Sequence, residues 1–290
     1  MLIEVHDLQE AIEKFSVEQK YSEYTSEEHE TWRLATTALE NVLVGHTAVD
    51  YCESFTHTGM SKQMIPSLER VQSALGQFDW SAIVVDGFIP PDVFMLLQAH
   101  SILPISKPIR ARSQLGYTPI PDIIHEAAGH LPMLDDANYR VFLQRLGEIG
   151  AATQLDELDM PLYHAQKHLA ELIAEETTSQ ILIDEAEAAV AEAKELVRDS
   201  TVSPARLVAR FHWWTVEYGL IGPEHKIFGA GLLSSVAEAS KYRQAKHERL
   251  SRACCERGFE IDHIQPIYYV ADSWDHLMQE LDVLESMVLN

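Results

Sequence analysis

The chain has 290 residues, 46% of them hydrophobic, enough for one large core or two modest ones. Its formal charge of −23 repels phosphate backbones and anionic lipid heads, which argues against nucleic-acid and membrane partners. The cysteines Cys52, Cys254 and Cys255 are odd in number and two are adjacent, so no disulfide framework is expected.

The segment Met1–Asp7 lacks a basic region followed by an apolar run, so no signal peptide is expected. No apolar stretch is long enough to span a bilayer. The expected compartment is the reducing cytoplasm. Prolines and glycines are scattered, which points to one domain over 1–290 carrying a helical elaboration.

The first third reads mainly as helices. Thr25-Ser-Glu-Glu28 has capping-box spacing, and Trp32, Leu34, Ala35, Leu39 and Val42 follow with helical periodicity. Pro66-Ser67 opens another helix, with Leu68, Val71 and Leu75 on one side. Ser81–Val85 is a β-branched run, read as a strand stopped by Asp86-Gly87. Pro90-Pro91-Asp92 introduces a helix through Phe94 and Leu97, and Ile102–Arg112 reads as irregular. A helix is expected to begin near Pro121-Asp122, where Asp122 complements the helix dipole.

From Ala151 to Ser200 the texture changes: rich in Ala and Glu, without Gly. Leu158, Leu162, Ala165, Leu169 and Leu172, then Leu182, Ala186, Ala189, Ala193 and Leu196, recur at steps of three and four. The pattern predicts a helical hairpin that breaks around Glu176–Gln180, and we place an inserted arm over 151–203. Ser203-Pro204 starts a helix leading to Glu217. After the segment Gly229–Ser235 a helix is expected through Glu238, then a strand over Ile264–Val270 and a last helix capped by Ser273. The predicted fold is mainly α with a few short β-strands.

The densest chemistry is His125-Glu126-Ala-Ala-Gly129-His130, with a second carboxylate available at Glu217 beside Trp213 and Trp214. Two imidazoles and one carboxylate form the facial triad that holds iron(II) with open positions for oxygen chemistry. The spacing differs from that of zinc proteases, whose histidines lie four apart on one helix face. Five apart on a straight α-helix, they diverge by roughly 140°. The helix must therefore end or distort between them. Gly129 and Leu131-Pro132 suggest that it ends, with His125 inside and His130 just beyond. The alternative for Glu217 is a salt bridge to an arginine.

Four ordered motifs, Tyr117–Pro132, Trp214–Leu220, Gly229–Ser235 and Gln265–Ser273, carry a resemblance to the catalytic domain of the pterin-dependent aromatic amino acid hydroxylases. The resemblance covers nearly the whole chain except the arm. It implies that fold, with a helical insertion as in a bacterial branch of the family. It also implies monooxygenase activity on an aromatic amino acid, phenylalanine first, with O2, Fe(II) and a tetrahydrobiopterin-like cofactor. The iron ligands fall on His125, His130 and Glu217, and Glu126 falls beside the pterin and O2. Arg110 falls on the clamp for the substrate carboxylate, a task suited to a guanidinium fork. Thr118, Trp213, Gly231 and Ser234 fall on other parts of the amino acid pocket. Phe94 falls on the ring that stacks on the pterin, with Gly87, Ile89 and Ala209 around it.

The chain departs from the family text around Ile89–Val93, and Pro104 stands where the family has a histidine; His100 is nearby but shifted. A monomer or small homo-oligomer is expected. Two other readings compete: a zinc-type metallohydrolase with Glu126 as general base, and an inactive relative acting as an interaction module through its arm.

Overall fold

The computed structural model describes residues 7–87, 89–115, 121–153, 159–174, 178–198, 202–261 and 263–289. Side-chain caps set most helix starts. Asp7 caps α1 (Leu8–Phe15) by accepting from the Glu10 amide. Thr25 and Glu28 form the expected capping box of α2 (Ser26–Leu43), each side chain accepting from the other's backbone amide. Asp50 caps α3 (Tyr51–His57) and Ser67 caps α4 (Leu68–Leu75).

Strand β1 (Ser81–Val85) forms where its β-branched run predicts, and Gly87, at φ +74°, turns the chain out of it. Helix α5 (Pro91–Ala99) follows with proline in its first turn. The segment expected to be irregular contains strand β2 (Ile102–Ser106), parallel to β1 with Ser81 opposite Ile102. Pro104 obscured it in the sequence. Proline is tolerated because, among the described residues, β1 is the one strand that pairs with β2, so no amide is needed on its other edge.

Helix α6 (Ala137–Ala151), capped by Asp136, carries Tyr139, Phe142 and Leu146 into the core. The expected hairpin is present as α7 (Asp159–Ala174) and α8 (Gln180–Arg198), which pack together. Its buried stripe on α8 is Ala186, Val190 and Ala193; Leu182 and Leu196, expected in the seam, are exposed, and Leu158 lies outside the described residues. The alanine side of α8 permits close approach, whereas the leucines fall off that stripe.

Ser203 caps α9 (Pro204–His212). Short strands β3 (Leu220–Ile221) and β4 (Lys226–Ile227) follow, then the one-turn helix α10 (Ala230–Leu233) and, where a helix through Glu238 is expected, the one-turn helix α11 (Val236–Ala239). Strand β5 (Lys246–Arg249), helix α12 (Ala253–Glu256), strand β6 (Ile267–Ala271) and helix α13 (Trp274–Val288, capped by Ser273) complete the chain. The second sheet runs β4-β3-β6-β5, with only the β3–β4 pair antiparallel.

One continuous core joins α2, α6, α9, α13 and β6 through Trp32, Tyr139, Phe142, Phe211, Trp214 and Tyr268. All three cysteines are free thiols. Among the described residues no helix is long and apolar enough to cross a membrane.

Candidate metal centre

Two distorted helical turns build the site. Residues Ile124–His130 wind as a π-helix, and Trp213–Glu217 continue α9 as a second π-helical turn. A π-helix bonds residue i to i+5, so positions five apart stack on one face. His125 and His130 therefore face the same way within one helix. The expectation that the helix ends before His130 is corrected: the helix widens, and His130 is its last residue. Leu131-Pro132 begins a tighter turn immediately afterwards.

Gly129 is required by packing. A Cβ there would lie 2.6 Å from the Ala230 carbonyl oxygen, because α10 crosses directly over the π-turn. Gly231 does the same on the other side: its Cβ would meet the Tyr218 ring at 2.7 Å and the Glu217 carbonyl oxygen at 3.0 Å. The Gly-Ala-Gly segment thus clamps the two π-turns together, which brings Glu217 to the histidines.

The Glu217 carboxylate lies between the two imidazoles, with Oε2 3.3 Å from His125 Nε2 and Oε1 3.5 Å from His130 Nε2. The His125 and His130 rings meet edge to face, centroids 5.2 Å apart. No arginine or lysine is paired with Glu217 among the described residues, so the salt-bridge alternative does not hold. Burial alone would raise its pKa, but His125, His130 and His212 together hold it well below the usual carboxylate range.

Candidate ligand atoms of His125, Glu126 and His130 also lie within 4.8 Å of one another, so two carboxylates compete for one centre. Electrostatics separates them. Burial pushes Glu126 up to about 8, and its Oε2, 3.8 Å from His130 Nε2, is buried without a hydrogen bond. Near neutral pH Glu126 is therefore a neutral acid and Glu217 the anion. Burial pushes His125 down to about 4 against the pull of Glu217, leaving its imidazole neutral, as a metal ligand must be. For His130 burial works downward, but Glu217 and Glu126 outweigh it and raise the pKa. Two imidazoles around a buried anion with no other cation are a donor set that fits a divalent metal.

The orientation of His125 is fixed from behind. Its Nδ1 lies 3.0 Å from Ser234 Oγ, and that hydroxyl donates to the Ala230 carbonyl at 2.7 Å. The hydroxyl proton is thus spent, so Ser234 accepts Nδ1–H, and the Nε2 lone pair faces the centre. Asp122 accepts from the His125 amide at 2.9 Å and binds Arg110 bidentately, Nε to Oδ2 at 2.8 Å and Nη2 to Oδ1 at 2.6 Å. Asp122 entered the sequence reading only through the helix dipole. Here it is the buried counter-ion of Arg110. One edge of the guanidinium fork is consequently taken, and Nη1 reaches the Ser234 carbonyl at 3.4 Å.

Trp213 stacks on Phe259 at 4.3 Å between centroids, and its Nε1 lies 3.3 Å from Gln265 Oε1. Thr118 lies outside the described residues. Of the four positions expected around a pterin, Gly87 ends β1 and Ile89 packs beside Val93 and Leu97. Phe94 meets the His212 ring edge to face at 5.7 Å. Ala209 lines a cavity of about 850 Å³, walled also by Asp92, Met95 and Trp214 and by Tyr163 and Lys194 of the hairpin. None of the four clustered acid and imidazole side chains lines that cavity, so the chemistry follows the donor set and not the volume.

Sequence reasoning missed His212. Its Nδ1 lies 3.8 Å from Glu217 Oε1. The signal was available: His212 precedes Glu217 by five residues, the same interval that separates His125 from His130.

Comparison with known proteins places these features. The sequence profile described as biopterin-dependent aromatic amino acid hydroxylase matches residues 9–163 and 198–288. The chain is 28% identical over 272 residues to phenylalanine-4-hydroxylase of Ralstonia nicotianae, covering 91% of this chain and 72% of that protein. It is 28% identical over 274 residues to the Mesorhizobium japonicum protein of the same name, covering 91% and 81%. Among solved structures, Chromobacterium violaceum phenylalanine hydroxylase with bound iron(III) and 7,8-dihydrobiopterin superposes with a TM-score of 0.71 at 23% identity, over 94% of this chain and 86% of that one. At that identity the superposition establishes the shared fold.

Proposed function

The chain belongs to the family of biopterin-dependent aromatic amino acid hydroxylases, and from that membership we propose that it hydroxylates the ring of phenylalanine with O2, using iron(II) and a tetrahydropterin. Phenylalanine is the choice because the similar bacterial proteins carry that activity in their names. The observation that carries the reading is the meeting of His125, His130 and the anionic Glu217 around one point, clamped by Gly129 and Gly231.

Iron and pterin, when bound, supply the electrons that reduce O2. The protein's residues bind, orient and hold protons. His125, His130 and Glu217 are the proposed metal ligands, with Ser234 setting the His125 tautomer. Arg110 meets the substrate carboxylate with the fork edge that Asp122 leaves free, and Trp213, Thr118 and Gly231 shape the amino acid pocket. Phe94 offers its face to the pterin ring, with Gly87, Ile89 and Ala209 around it. Glu126, whose proton burial retains up to about 8 in the metal-free site, lies beside the centre where it can hold or accept a proton. We read the hairpin segment 164–197, which interrupts the family match, as an insertion. Family membership replaces the metallohydrolase reading.

The test is an assay of iron-loaded protein with tetrahydrobiopterin and O2 against phenylalanine, tyrosine and tryptophan, with product identification. Tyrosine formed from phenylalanine in step with pterin oxidation is the expected result. No pterin-dependent product from any of the three would leave the inactive-relative reading standing.

A further inference from the structure

We propose that His212 is a third imidazole of the metal centre, a positioning residue whose Nδ1–H donates to Glu217 Oε1 in the metal-bound protein and leaves Oε2 as the metal-binding oxygen. This rests on the ligand set proposed above. Among the described residues the basic side chains within 4 Å of the Glu217 carboxylate are His125, His130 and His212. Ser234 fixes Nδ1–H on His125, so His125 Nε2 presents a lone pair. His130 likewise approaches through Nε2 and must present a lone pair to bind a metal. Neither can then donate to Glu217. Of the three imidazoles, His212 is thus left as the one that can donate to the carboxylate, through Nδ1, and metal-bound carboxylates are commonly hydrogen-bonded by such an outer partner.

The backbone supports the assignment. His212 and Glu217 bracket the second π-turn, which stacks them as the first π-turn stacks His125 on His130. The ring is held side-on by the edge-to-face contact with Phe94. Its Nε2 is buried with no partner. Either neutral tautomer leaves Nε2 unpaired, so the interaction with Glu217 decides between them in favour of Nδ1–H. At 3.8 Å the contact is an ion-pair distance, and the proposal is that it closes to a hydrogen bond once a cation occupies the centre.

The experiment measures Co(II) affinity by chelator competition and the Co(II) d–d spectrum, neither of which needs turnover. His212→Phe keeps the ring and its contact with Phe94 but removes the donor. His212→Asn places an amide N–H near the position of Nδ1. Equal thermal melting of the metal-free proteins establishes that each variant folds; if His212→Phe does not, His212→Leu takes its place as the arm without a donor, and if His212→Asn does not, His212→Gln takes its place as the arm with an amide donor. The expected result is a loss of about 10–100-fold in affinity and a changed spectrum for His212→Phe, with recovery of most of both in His212→Asn. Wild-type affinity and spectrum in His212→Phe would overturn the proposal. So would equal loss in both variants, which would make the imidazole itself the ligand. If the wild type binds Co(II) tightly yet hydroxylates nothing, the functional reading fails while this test still decides the role of His212.

Discussion

Glu217 concentrates the negative charge of the centre, and the residues around it divide by what they do to that charge. Removing the proposed ligand in Glu217→Ala should cost more metal affinity than the roughly 10–100-fold typical of an outer partner. The check is metal content after loading and desalting; stoichiometric metal in the variant would unseat Glu217. Without metal, the same residues set the pH dependence of stability. Glu126 keeps its proton up to about 8 in the folded chain against 4.5 unfolded, and His130 is raised above 6.5, so the folded state binds more protons: the Glu126 contribution falls as pH rises from about 4.5 to 8, and that of His130 as pH rises above about 6.5. His125 and His212, pushed down to about 4 from 6.5, act oppositely: the unfolded chain takes up protons first, so stability falls as pH drops through that window. Urea midpoints of the metal-free protein should therefore peak near pH ~6.5, and Glu126→Gln should flatten the alkaline side. An unchanged alkaline slope in that variant would show that Glu126 is ionised throughout. Arg110 has two tasks where the sequence suggested one. Arg110→Lys keeps the charge but not the fork, so a lower melting temperature should accompany a higher KM for the amino acid. A raised KM with unchanged melting would mean that the Asp122 pair is easily replaced.

At the scale of elements, the ligand residues were legible because their types and order survive in the sequence, whereas the geometry joining them was not. Five-residue spacing excluded a regular α-helix, but it left open whether the helix ends or widens. The answer depends on α10 crossing at Gly129, a contact about a hundred residues away in sequence that no local pattern encodes. His212 was missed for the same reason, since its interval to Glu217 has meaning only inside a π-turn. Strand β2 was hidden by Pro104, and of the expected α8 seam Ala186 and Ala193 are buried whereas Leu182, Ala189 and Leu196 are exposed. The capped helices, α2, α4, α9 and α13, were legible because a side-chain cap is a local interaction. Gly129→Ala tests the clamp directly. Its methyl meets backbone, which cannot rotate away, so about 1–3 kcal/mol of overpacking is expected, together with weakened metal binding. Full metal affinity in a stably folded Gly129→Ala would show that the two π-turns can converge without close approach of α10.

For the whole molecule, the acidic hairpin poses the remaining structural question, because the family match resumes on its far side as if nothing intervened. Its base is tied to the body: Asp159 accepts from Ser203 Oγ at 2.5 Å and pairs with Arg206 Nε at 2.7 Å, while Lys194 bridges to Glu260 at 2.6 Å. Beyond that base it buries little among the described residues: Ile181, Leu182 and Leu196 are exposed, and the buried hydrophobics are Tyr163, Ala186, Val190 and Ala193. Asp159 and Ser203 both lie outside segment 164–197, so replacing that segment with a short Gly/Ser linker leaves the tie intact. The π-turns, α10 and Asp122 are also untouched. The shortened protein should bind metal with unchanged affinity and melt within roughly 4 °C of the full chain, the shift that about 1 kcal/mol produces at this size. Lys194 is lost in this deletion, but its exposed pair with Glu260 is worth little. A large fall in metal affinity would show that the hairpin supports the centre through the cavity wall it shares with Ala209 and Trp214.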